Sequence, residues 1–146
     1  MTFDYQLDDW CKKLKIPDYN GTFKLQDDTG YKKKGSYIIN LNGQSHWCLL
    51  LVDKDGKARW FDSFGVVPPQ KIVKLFPKVS WNKTDFQKLT NQDCGQYCVL
   101  FDYLCNKYGW KEAEKIFHKH CLGNSRWMMN TLHKLLNHGK GLTVDV

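Results

Sequence analysis

"SYIINLNGQSHWCLLLVDKDGKARWFDSFG", residues 36–65, decides the fold. Apolar runs alternate here with Asn42-Gly43 and Asp55-Gly56. Asn-Gly and Asp-Gly tolerate the positive φ that tight hairpin turns demand. The stretch therefore predicts an antiparallel meander from about Ser36 to Ser63. "WCLLLV" is apolar at every position, which predicts a central strand covered on both faces.

The flanks read as helices. In "TFDYQLDDWCKKLKIP", Leu7, Trp10, Cys11 and Leu14 follow the i, i+3, i+4, i+7 spacing of one buried face, and Pro17 ends the helix. "DYNGTFKLQDDTGYKKKG" reads as an irregular loop. "GVVPPQKIVKLFPK" predicts a turn and a short helix with Ile72, Val73 and Phe76 inward, and "VSWN" a further short strand. A helix from about Cys94 to Tyr108, stopped by Gly109, precedes "KEAEKIFHKHCLG" and "SRWMMNTLHKLLNHG", which predict two more. The class is α+β, an antiparallel central sheet with an N-terminal helix and C-terminal helices. A chain of 146 residues with 42% hydrophobic content suits a single domain, 1–146, with its own core.

The formal charge is +7, carried almost wholly by lysine. Such a surplus favours polyanions, so DNA contact through a basic surface is expected, without base-specific arginine readout. No secretory leader or membrane-length apolar run is evident, which predicts an intracellular, reducing setting, no membrane partner and free thiols for the six cysteines. A monomer is expected.

"NQDCGQYC" places Cys94 where a polar turn becomes a helix, with Asn91 and Asp93 available as caps. A helix N-terminus favours a thiolate, the nucleophilic form of cysteine. Gly95 leaves the sulfur uncrowded. The same features fit a buried core cysteine, so partners decide the reading. His46 stands at the mouth of the central strand, unlike His118, His120, His133 and His138 on lysine-rich helices. Asp62 ends the next strand, and His46 and Asp62 lie at nearly mirror positions about Asp55-Gly56. The turn predicts that they are neighbours, with Asp62 orienting the imidazole. Gln87 and the Cys94 amide are the candidate oxyanion donors, with Gln92 the rival side chain. Trp47 and Gly95 are the candidate substrate-binding residues, Trp47 as a cleft wall.

"SHW", "WFDSFG" and a Gln followed by "NQDCGQYC" together resemble the adenain-type cysteine proteases, the adenovirus endopeptidase and its relatives. That family shares its fold and site with the proteases that remove SUMO-like modifiers. Its order along the chain is His, acid, Gln, Cys, and His46, Asp62, Gln87 and Cys94 stand in that order. The resemblance runs from about residue 5 to 108. It implies an adenain-like fold and a viral cysteine endopeptidase that cleaves virion precursors, capsid or core proteins, at Gly-containing sites. It also implies work in the host nucleus and the virion, and DNA as a candidate activator. The acid is Asp, as in the SUMO branch. No Cys lies between Asp62 and Gln87, which argues against a disulfide-linked peptide cofactor.

Rival readings are a SUMO or ubiquitin-like isopeptidase and a catalytically inactive basic DNA-binding virion protein. A zinc module built from Cys94, Cys98, His118, His120 and Cys121 fits poorly. Cys94 and Cys98 do not form a C-x-x-C knuckle, and the site is expected to need no metal. The tail "NHGKGLTVDV" carries a Gly-x-Gly that loosely suits self-processing.

Overall fold

A computed structural model describes residues 2–27, 30–41, 46–87 and 92–138. Helix α1 (Asp4–Lys13) leads into strands β1 (Tyr19–Lys24), β2 (Gly35–Asn40), β3 (Trp47–Val52) and β4 (Ala58–Phe61). Helix α2 (Gln70–Leu75), strand β5 (Ser80–Trp81) and helices α3 (Cys94–Tyr108), α4 (Trp110–His120) and α5 (Arg126–His138) follow. The Asn42-Gly43 turn, the Asn91 cap and the tail from residue 139 fall outside the described residues.

The sheet order is β1-β2-β3-β4-β5, and β2, β3 and β4 form the expected antiparallel meander. The Asp55-Gly56 turn closes it, with the Asp53 amide donating to the Lys57 carbonyl at 2.9 Å. Both outer pairs are parallel, so the sheet is mixed rather than wholly antiparallel. Part of the stretch read as an irregular loop is in fact the edge strand β1. Its "NG" mimics a turn signal, but Gly21, at φ +118°, sits in the register break between Tyr19 and Thr22 instead. Gly35 has a steric role where the two strands meet. A Cβ there would lie 1.8 Å from the Asp18 carbonyl oxygen.

The pleat feeds two cores. Trp47, Leu49 and Phe61 face the side covered by α1, α3, α4 and α5, where Phe61 stacks on Phe101 at 4.0 Å. Cys48, Leu50 and Trp60 face the other side, sealed by Ile72 of α2 and by Tyr31. Cys98 and Phe101 fill the inner face of α3, while Cys105 is half-buried. All six cysteines are free thiols. Among the described residues no helix is long and apolar enough to cross a membrane.

One buried charge makes the fold pH-sensitive. Burial raises the Asp102 carboxyl of α3 to about 7, against the downward pull of the hydrogen bond from Asn106. The folded state therefore keeps a proton that the unfolded chain releases at about pH 4. Stability falls as pH climbs from about 4 through about 7. Asp102→Asn removes that penalty, so its melting temperature relative to wild type should rise by several degrees from acid to mildly basic pH. Equal offsets at both ends, read by calorimetry, would mean that Asp102 folds as an ordinary carboxylate.

Candidate active site

The site forms where β3 begins and α3 begins. The β3–β4 ladder ends at the Leu49–Phe61 pair, so the main-chain groups of Trp47 lie beyond it. Thiols of α3 take them up. The Trp47 amide donates to Cys94 Sγ at 3.3 Å, and the Cys98 thiol donates to the Trp47 carbonyl at 3.4 Å. Cys94 is the first residue of α3, and Asp93 occupies the N-cap position without a side-chain cap bond. The sulfur thus sits at a helix N-terminus and accepts the Trp47 N–H. Cys94 is only 3% exposed.

His46 stands just before β3. Its Nε2 lies 2.9 Å from Asp62 Oδ1, as the mirror positions about the turn predict. A carboxylate can only accept, so Nε2–H donates. The ring also hydrogen-bonds the Cys94 side chain and packs 5.0 Å from the ring of Phe64. Burial alone would lower the imidazole pKa. The hydrogen bonds and charges of Asp62 and Cys94 outweigh it and raise the value to about 9. His46 thus carries its proton at neutral pH.

Asp62 is held from every side. Its Oδ1 accepts the Phe64 amide at 2.8 Å. Asn82 clamps its main chain, accepting the Asp62 amide at 2.9 Å and donating Nδ2–H to its carbonyl at 2.6 Å. Asn82 is fully buried. Gln87, 2% exposed, donates its amide N–H to the Ser63 carbonyl at 3.1 Å. The Ser63 hydroxyl donates in turn to Gln87 Oε1 through a short hydrogen bond, leaving Nε2 as the donor end of that side chain. Gln92 is exposed.

Sequence reasoning missed Asn82, Ser63, Phe64 and Cys48. Only Ser63 and Phe64, inside "WFDSFG", had a local signal. Trp47 and Gly95 turn out to face inward. Trp47 is 7% exposed and donates its indole N–H to the Thr2 carbonyl at 3.2 Å. A Cβ on Gly95 would lie 2.9 Å from Leu7 Cδ2 and 3.3 Å from Thr2 Cγ2. The N-terminal segment covers both. The proposed zinc set is not brought together. Among the described residues, the group able to hold a metal is His46, Cys48 and Asp62.

No protein-family model matches the chain, and no curated protein does. A solved structure does. The crystal structure of the ASFV pS273R protease matches with a TM-score of 0.50 at 15% identity, covering 92% of this chain and 64% of that one. The fold is the cysteine-protease fold of the SUMO-protease and adenain kind. A selenomethionine crystal structure of the same protease matches over 75% of this chain and 45% of that one, with a TM-score of 0.43 and 16% identity. The chain spans about 64% of the length of the first of these.

The His46 shift gives a direct test. Asp62→Asn removes the charge that helps raise the imidazole pKa and leaves only a neutral amide oxygen as acceptor, so the ring should titrate clearly below about 9 by NMR. An unchanged titration would mean that Asp62 does not hold the imidazolium.

Proposed function

We propose that the chain is a cysteine endopeptidase of the viral type. The carrying observation is the continuous line of hydrogen bonds from Cys94 through His46 to Asp62. In this reading the Cys94 thiolate attacks a peptide carbonyl, and His46, protonated at neutral pH, gives its proton to the leaving amine. Asp62 holds the ring orientation and balances the imidazolium charge. Gln87 Nε2 and the Cys94 amide receive the oxyanion. Water then hydrolyses the thioester, with His46 as base.

The near-complete burial of Cys94 supports substrates with Gly at the scissile bond, because an approaching backbone without a side chain meets the fewest clashes. Virion precursor proteins are the proposed substrates, in the host nucleus and the particle. DNA, attracted by the lysine surface, is a proposed activator, with affinity falling steeply as salt rises.

Cleavage of Gly-containing peptide libraries, with and without DNA, tests the reading. Cys94→Ser and His46→Ala should each lower kcat by about 1000-fold or more, and Gln87→Ala by about 100- to 1000-fold. Each variant should still unfold in one cooperative thermal transition, with the midpoint of His46→Ala lowered by loss of the imidazolium's contribution. Wild-type rates in Cys94→Ser would sink the reading.

A further inference from the structure

Cys48 is a buried thiol that the proposed chemistry does not use, and the strand register explains its position. Extending the Leu49–Phe61 pairing by one step sets Cys48 opposite Asp62. The Cys48 thiol hydrogen-bonds the Asp62 carboxylate, which also accepts from His46 Nε2 and the Phe64 amide. The three donor atoms, one N, one S and one O, all lie within 4.8 Å of one another. Cys94 is not part of that group.

We propose that His46, Cys48 and Asp62 form a binding site for a zinc-class divalent cation, distinct from the nucleophile, and that its occupation switches the site off. A thiolate and an imidazole beside one carboxylate suit a borderline-soft ion such as Zn2+ and not Mg2+ or Ca2+. Donors around one tetrahedral zinc sit about 3.3–3.8 Å apart, so no pair need close by more than about 1.5 Å. His46, whose side chain is 17% exposed, is the open member and the route of entry. The fourth position is left for water. On binding, the Cys48 thiol and His46 Nε2 each release a proton to solvent, and the metal takes both lone pairs.

The consequence rests on the proposed protease chemistry. A ring coordinated through Nε2 keeps one proton, on Nδ1, and has no lone pair left to accept another. Bound metal therefore disables the base from behind while leaving Cys94 Sγ uncoordinated. That differs from the ordinary poisoning of a thiol enzyme, in which the ion binds the nucleophile itself.

Metal binding can be read without activity. The full chain is stripped with a chelator and prepared as Cys94→Ala, which removes the nucleophile. Titration with Co2+ should give one equivalent of a thiolate-to-metal charge-transfer band, which Zn2+ then displaces. On the same background, Cys48→Ala should abolish the band and weaken Zn2+ binding on the order of 100-fold, and His46→Ala should weaken it comparably. Cys98→Ala, which removes a neighbouring buried thiol, should keep the band. Persistence of the band in Cys48→Ala, its loss in Cys98→Ala, or no binding at all would overturn the proposal. Peptide cleavage by wild type is measured separately, so failure of the metal site and failure of the protease reading give different results.

Discussion

The peptide unit of Trp47 is the joint on which the site depends. A strand that outruns its partner leaves main-chain groups without a ladder, and a buried orphan N–H or C=O is costly. Here β3 outruns β4, and α3 supplies the missing partners through Cys94 and Cys98, one helical turn apart. The same two bonds hold the first turn of α3 against the sheet. His46 immediately precedes Trp47, so whatever fixes Trp47 also fixes the distance between imidazole and sulfur. The N-terminal segment presses on the joint from outside, through Thr2 against Trp47 and Gly95.

Electrostatics then set the state of the site. His46 loses solvation on burial, which opposes its charge, yet two partners that favour the charged form prevail. The sign follows for the fold. An imidazole held above its unfolded value adds stability below about pH 6.5, and that stability is lost as pH rises through about 9. Asp102 of α3 acts in the same direction, since its burial has no cation to offset it and stability falls as pH climbs through about 7. Helix α3 thus carries Cys94 at one end and a buried acid that titrates near neutrality farther along.

Much of this arrangement was legible in the sequence because it is local. Asp55-Gly56 alone predicts that His46 and Asp62 meet, and the polar-to-apolar change at Cys94 marks the helix start. The parts that were not legible depend on distant chain. Strand β1 hides behind an Asn-Gly pair that acts as a bulge, and its pairing depends on Gly35 approaching Asp18. Asn82 reaches the site only because β5 lies parallel to β4, which no pattern in "VSWN" announces. Cys48 reads as one more apolar residue of a central strand until the register sets it opposite Asp62. Trp47 and Gly95 look like cleft residues by their neighbours in sequence, and the covering by Thr2 and Leu7 turns them inward.

The central claim is that Cys94 and His46 form an assembled pair, and thiol reactivity tests it most directly. The folded chain would be treated with limiting iodoacetamide at about pH 6, where an ordinary thiol is almost wholly protonated. The labelled cysteine would be mapped by mass in wild type and in His46→Ala. The account predicts that Cys94, although only 3% exposed, is labelled first and that this preference disappears in His46→Ala. Labelling ordered by exposure alone, with half-buried Cys105 leading in both proteins, would contradict it.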